Sequence, residues 1–470
     1  MEFAVSLRTV KRICTVILIP ILMLTLIPAT AQPFFFGGVS IKDEKDLGRK
    51  FDATIRARVP VIDDPEVSQY VRQLVQRLVS TLPPQPFTFT STVIRNNTMN
   101  AFAVPGGYIY VLTGLIMHFD DEAELAGVLG HELAHITQRH VASRLERAQY
   151  TTFGSLLLAI AGIALGGPGG GALAVGAMGA GQSAMLNYSR IDESEADHIG
   201  LQYVCKAGFD PKGMVRAFAI LRQKSRMSGS SIPTYLSTHP ALGDRIAGLT
   251  ARIQHLPPQV RNRKTDNRRF LRVKTILWAR YGDPQAAMVV FADNSALSSM
   301  GRGIVLARQN DVARARNEFE RALERDPNDS LILREAGAFH YRKGDLRVSL
   351  DLLTRALKIN PNDYMASFYY ARLMEEYGEY DRAIENFRDV LRRVPEESEV
   401  HRAYAQTLNK TRKEALAYIH MTYGALYDGD KKKTEQYLKR AKALAKTPAE
   451  QQSLTRLTNR VEEYKKLWKN

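Results

Sequence analysis

At 470 residues, 24% of them charged and 45% hydrophobic, the chain has the composition of ordinary globular protein and room for about two to four domains. Its formal net charge of +16 is not ordinary and points to an acidic surface or polymer as a partner. Two cysteines exclude a disulfide-rich scaffold.

The first 31 residues read as an address. Arg8, Lys11 and Arg12 form a basic start, Ile13 to Ile27 an apolar core, and Ala29-Thr30-Ala31 a small-residue end before Gln32. The apolar run is 15 residues, short for a membrane span. A cleaved secretory signal is expected, with an uncleaved anchor as the alternative. No cysteine follows the cleavage point, so a lipoprotein is not indicated. Without this segment the net charge is +14 and Cys205 stands alone, which rules out an internal disulfide and zinc held by cysteines. Export also argues against nucleic acid as the target of the positive charge, in favour of anionic lipid or lipopolysaccharide.

From Ile41 to about Leu82 the apolar spacing is helical, through Val67, Val71, Leu74, Val75 and Leu78, and Pro83-Pro84 ends it. Phe87 to Ile94 alternates like a strand, and Asn96-Asn97 turns the chain. Asn100 to Gly114 reads as a strand, a Pro105-Gly106-Gly107 turn and a second strand leading to the next helix. Ala101, Phe102 and Ala103 in the first of these strands are candidates to pair with an extended peptide by edge addition. An ordinary core hairpin is the other reading.

Asp121 and Glu124 then open a helix in the manner of a capping box, and Leu125, Val128, Leu129, Leu133 and Ile136 line one face. Within it lies His131-Glu132-Leu133-Ala134-His135, an H-E-x-x-H pattern. Residues four apart share a helix face, so both histidines can aim at one metal ion while Glu132 reaches a water bound to it. His140 makes a poor third ligand, because on the same helix it is turned about 180° from His131.

Residues 153 to 187 combine two apolar arms with five glycines and Pro168 between 166 and 171. The expectation is a buried helix followed by a glycine-rich lid over 166–183, with a membrane-touching hairpin as the alternative. Tyr188 to Asp197 opens another helix, running to about Lys206, on which Glu193 and Asp197 share a face and Glu195 points away. A catalytic zinc takes three protein ligands and keeps one position open. Glu193 is the candidate third ligand, and Asp197, one turn on, can accept the free N–H of a ligating histidine. Leu236 to Pro240 is a loop containing His239, and Asp244-Arg245-Ile246 starts the helix after it.

Residues 252 to 280 carry nine basic side chains against Asp266 alone, read as a linker face or an anionic-surface contact. From about residue 296 a 34-residue period sets in. It relates Asn310, Gly344 and Gly378; Pro327, Pro361 and Pro395; Gly303, Gly337 and Ala371; and Phe319, Leu353 and Phe387. This is the tetratricopeptide spacing, a stack of helix pairs with a concave binding surface. Lys413 to Asn470 continues as helix, with Gly429 and Pro448 as degenerate echoes and a second basic patch from Lys431.

The H-E-x-x-H together with Glu193-Ser194-Glu195-Ala196-Asp197, an E-x-x-A-D match, resembles the zinc metalloproteases of the HtpX and CAAX-prenyl-protease type, as do the Asn100–Gly114 and Thr238-His239-Pro240 stretches. With an export signal and a repeat array, the likeness is nearest to periplasmic protease-chaperones of outer-membrane protein assembly. The resemblance implies one zinc on His131, His135 and Glu193 with Glu132 as general base. His239 and Arg245 are candidates to stabilise an oxyanion, and His239 alternatively to cap the zinc. The expected fold is α+β: a mostly helical metalloprotease domain with a small sheet, then an all-α solenoid. Its parts are a signal peptide (1–31), the protease (32–255), a basic linker (256–295), repeats (296–412) and a helical extension (413–470). The expected partners are unfolded or misassembled envelope proteins, the outer-membrane assembly machinery through the repeats and an anionic membrane surface through the basic linker, with no nucleic acid. A chaperone or adaptor in which proteolysis is secondary is the competing function.

Overall fold

The structure is a computed structural model that describes residues 38–62, 64–147, 162, 188–227, 235 and 238–468. The 1–31 segment, the 166–183 lid and Leu236-Ser237 therefore lie outside the described residues.

The helix expected from Ile41 to Leu82 is two helices, α1 (Ile41–Arg58) and α2 (Pro65–Val79). Asp64 caps α2 by accepting from the Glu66 and Val67 amides, and Pro65 takes the first position, where its missing N–H costs nothing. The sheet has the order β1-β3-β2, with β1 (Thr90–Ile94), β2 (Ala101–Val104) and β3 (Tyr108–Leu112). β1 runs parallel to β3 (Thr92 opposite Tyr110), and β2 runs antiparallel to it (Phe102 opposite Tyr110). Gly106 and Gly107 turn the hairpin at φ of 86° and 93°, and a Cβ on Gly106 would stand 2.7 Å from the Glu44 carbonyl of α1. β3 does not lead straight into the histidine helix, because the short α3 (Thr113–His118) intervenes.

That helix, α4 (Glu122–Thr137), carries the expected box: Asp121 accepts from the Glu124 amide at 2.9 Å, and Glu124 accepts from the Asp121 amide. It is buried along nearly its whole length, which suits its small residues. After α5 (His140–Arg147) come α6 (Arg190–Lys206), α7 (Lys212–Met227) and α8 (Leu242–Gln254). α6 begins at a second capping box, Ser189 with Asp192. Gly130 of α4 faces Gly200 of α6, where a Cβ on Gly200 would lie 2.9 Å from both the Gly130 oxygen and the His131 nitrogen. Backbone therefore meets backbone at this crossing, and α6 comes close enough to bring its carboxylates to the α4 histidines.

The expected basic linker is a packed helical segment. It contains α9 (Pro258–Arg261), α10 (Arg268–Tyr281) and α11 (Pro284–Val290). Phe270, Val273, Ile276 and Leu277 of α10 are fully buried, and Trp278 donates to the Met117 carbonyl at 2.8 Å. Part of its charge is met within the protein: Arg272 pairs with Glu66 and Asp329, Arg280 with Asp64 and Glu335, and Lys274 donates to the Phe119 carbonyl. Three of the basic side chains read as facing an anionic surface are thus engaged within the protein.

The repeats follow as helix pairs: α12 (Ala296–Arg308) with α13 (Val312–Arg325), α14 (Ser330–Arg342) with α15 (Leu346–Ile359), and α16 (Tyr364–Glu376) with α17 (Tyr380–Arg393). The turns within these pairs pass through the left-handed region at Asn310, Gly344 and Gly378. The same turn recurs 34 residues later at Arg412, so α18 (Ser398–Lys410) and α19 (Glu414–Tyr427) form a fourth pair. The repeat boundary expected at 412 therefore falls inside a hairpin. Gly429, at φ 73°, belongs to the next connection, ahead of α20 (Lys431–Leu444) and α21 (Pro448–Trp468).

The second pair is joined to the protease part. Leu331 to His340 of α14 are all buried, and Arg334, 1% exposed, lies among Glu335 (2.8 Å), Asp363 (3.2 Å) and Asp64 (3.8 Å). Surface here that a free array would present to ligands is taken by the chain's own residues. Arg334→Ala strands buried carboxylates and is expected to cost about 3–5 kcal/mol. Urea unfolding checks this; a loss under about 1 kcal/mol, the scale of a surface pair, would mean the network is solvated.

Candidate active site

Capping boxes fix where α4 and α6 start, and the glycine contact fixes how closely they cross, so the side chains between them have little freedom. His131, His135, Glu193 and His239 are all buried, and one ligand atom from each falls within 4.8 Å of every other. The Nε2 atoms of His131 and His135 lie 3.0 Å apart, and Glu193 approaches them at 3.6 and 3.5 Å. His239 Nδ1 is 2.8 Å from Glu193 Oε1 and 3.3 Å from His131 Nε2. Its ring is stacked on Tyr235 and Tyr188, and its amide donates to the Tyr235 carbonyl, so three contacts hold it there.

Glu132 is fully buried beside this group. The Ala103 amide donates to its Oε2 at 3.1 Å, and its Oε1 faces His239 Nε2 at 3.5 Å. Burial pushes the Glu132 carboxyl up to about 7. Burial also pulls His131 down to about 4, with Arg245 adding to the effect, and carries His135 well below its usual value, so both imidazoles are neutral near pH 7. Burial alone would raise Glu193, but His239 and Arg245 outweigh it and hold the carboxylate well below the usual range.

Two neutral imidazoles and a carboxylate converging on one point are the donor set of a catalytic divalent-metal site. Among the described residues, the buried Glu132 Oε1 lacks a hydrogen-bond partner, which is what an atom kept for water would show. The group therefore fits a divalent ion on His131, His135 and Glu193.

Asp197 lies 3.0 Å from His131 Nδ1, the nitrogen turned away from the group. Arg245, weighed from sequence as an oxyanion donor, grips Asp197 at 2.8 and 2.7 Å and is ion-paired with Glu193. In this structure its guanidinium faces the carboxylates beside the ligands. The β2 residues Ala101, Phe102 and Ala103 lie on an edge strand and are buried, with the Ala103 amide turned to Glu132 rather than to β3. Sequence reasoning set His140 aside; its Nδ1 is 2.9 Å from His135 Nδ1. Tyr188 and Tyr235 were missed, because aromatic residues flanking a loop histidine carry no spacing signal.

Residues 63–253 match the model of peptidase family M48, and residues 300–364 and 340–407 match tetratricopeptide repeat models. The putative beta-barrel assembly-enhancing protease of Vibrio cholerae is 39% identical over 228 residues, 47% of this chain and 46% of that protein. The beta-barrel assembly-enhancing protease of Escherichia coli is 34% identical over 230 residues, with the same coverage. The mitochondrial metalloendopeptidase OMA1 of Arabidopsis thaliana is 32% identical over 181 residues, 38% of this chain and 35% of that protein. The chain spans about half the length of the curated relatives it matches. Likeness to solved structures is slighter: YrrB, described as a TPR protein with an unusual peptide-binding site, matches at a TM-score of 0.30 and 18% identity over 36% of this chain and 91% of that one.

Removing the carboxylate behind a ligating histidine loosens the ligand. Asp197→Asn is expected to weaken metal binding about 10–100-fold, measured by competition with a chelator, and unchanged affinity would show that His131 is oriented by other contacts.

Proposed function

We propose that the chain is an exported, periplasmic zinc endopeptidase serving the quality control and assembly of outer-membrane proteins, because residues 63–253 match the peptidase family M48 model and residues 300–407 match tetratricopeptide repeat models. The observation that carries the endopeptidase reading is the convergence of His131, His135 and Glu193 with a buried carboxylate, Glu132, beside them. The names of the Vibrio and Escherichia relatives support the setting. The N-terminal address supports export, and the repeats support capture of unfolded envelope proteins or docking on assembly machinery.

His131, His135 and Glu193 would hold zinc, which when bound supplies a Lewis acid for the peptide carbonyl and acidifies water. Glu132 takes the proton of the attacking water and passes it to the departing amine. The Ala103 amide fixes one oxygen of that carboxylate and leaves the other free for the proton. Burial keeps its affinity for a proton near neutrality, which suits a group that must both accept and release one. Asp197 and Arg245 position the ligands: Asp197 accepts from His131, and Arg245 keeps both acidic side chains charged. An extended substrate would run along β2, in the reach of Ala101 to Ala103.

His239 joins the converging group as a fourth member, which supports the capping role over oxyanion stabilisation and a gated proteolysis. The same observation supports the second reading, an assembly adaptor whose cleavage is held in reserve. Glu132→Gln is expected to retain metal and partners and to lose casein cleavage by at least about 100-fold, in line with removal of a general base. Retained cleavage would move the base elsewhere. His239→Ala is expected to raise the rate of the full chain, and a lowered rate would return His239 to the oxyanion.

A further inference from the structure

The two helix histidines of the converging group are supported differently. His131 has Asp197 behind it, whereas among the described residues no carboxylate contacts His135 Nδ1, which meets His140 instead. To present Nε2 to an ion, His135 must carry its proton on Nδ1 and donate it to something. We infer that His140 and Glu195 form that support: a relay in which Glu195 orients His140 and His140 orients His135. This rests on the metal reading of the group.

Backbone and side chains agree on it. Had α4 run on, His140 would point about 180° away from His131. Instead the helix ends at Thr137, and Arg139 adopts φ 56°, a left-handed conformation that an arginine enters only at a cost. The Arg139 guanidinium is held there by Glu44 of α1, which is 2% exposed, at 2.7 Å. The reversal starts α5 at His140 and lays that ring back over His135, Nδ1 to Nδ1 at 2.9 Å. His140 is itself only 5% exposed, and its Nε2 is 3.3 Å from Glu195 Oε2.

One set of tautomers satisfies every contact. The His135 Nδ1–H donates to His140 Nδ1, the His140 Nε2–H donates to Glu195, and His135 Nε2 is left as a bare lone pair facing His131 and Glu193. The alternation on α6 then has a use for each acid: Glu193 enters the group, Asp197 backs His131, and Glu195, on the other side of the helix, backs His135 through His140. His140 and Glu195 are positioning residues, and neither joins the converging group.

The test measures metal affinity in the full chain by chelator competition, together with the absorption spectrum of the cobalt-substituted protein. His140→Ala is expected to bind zinc about 10–100-fold more weakly than wild type and to show an altered cobalt spectrum, and added imidazole should restore both. Glu195→Gln should shift affinity the same way by a smaller factor, and the double variant should bind no more weakly than His140→Ala alone. The Glu195 side chain is 48% exposed, so that variant remains informative even if His140→Ala fails to fold. Wild-type affinity and spectrum in both variants would overturn the relay. Absence of metal from the wild-type chain would instead overturn the reading on which the relay rests.

Discussion

A carboxylate held between two histidines, out of reach of water, is the constraint that the rest of the protease part serves. Glu193 is 1% exposed, and a buried charge of that kind stands only if it is neutralised and hydrogen-bonded. Arg245 supplies the opposite charge, and Asp197 occupies the remaining donors of that guanidinium. For those groups to meet, α6 must come against α4 more closely than side chains allow, hence the glycines at 130 and 200. A further layer holds the ends: Arg216 ties the α4 cap at Asp121 and Glu124 to Asp210, and Glu44 holds the reversal at Arg139. The site is stiff because several independent contacts fix each element that enters it.

The repeats are joined to this frame by ionic contacts of similar burial. Asp64, which caps α2, also receives Arg280, and Glu335 and Asp363 of the repeats close around Arg334. A cap that doubles as an interdomain anchor links the start of a protease helix to the second repeat pair. A helix that looks like a linker by composition, α10, buries apolar side chains on one face and pairs basic ones on another.

What was legible in the sequence was local. The H-E-x-x-H face, the Asp121–Glu124 capping box, Glu193 on a separate helix and the 34-residue period depend on spacing within a few turns, and the structure has them where the spacing put them. What was missed depends on distant partners or on backbone that its residue type does not advertise. The charge of α10 read as free because Glu66, which neutralises Arg272, lies 206 residues away. Arg412 and Arg139 hold left-handed turns that glycine would have announced. His140 was judged by the geometry of an unbroken helix, and the break that redirects it rests on Glu44, 95 residues earlier. Apolar periodicity also ran on through Pro60 and Pro65, so two helices read as one.

The central claim is that Glu193 completes a metal site with His131 and His135. It is tested most directly by metal content of the purified full chain and of Glu193→Ala, with casein cleavage measured on both. The account predicts one zinc per chain in the wild type, lost together with cleavage in Glu193→Ala. Zinc retained in that variant, or an intact chain that binds none, would contradict it.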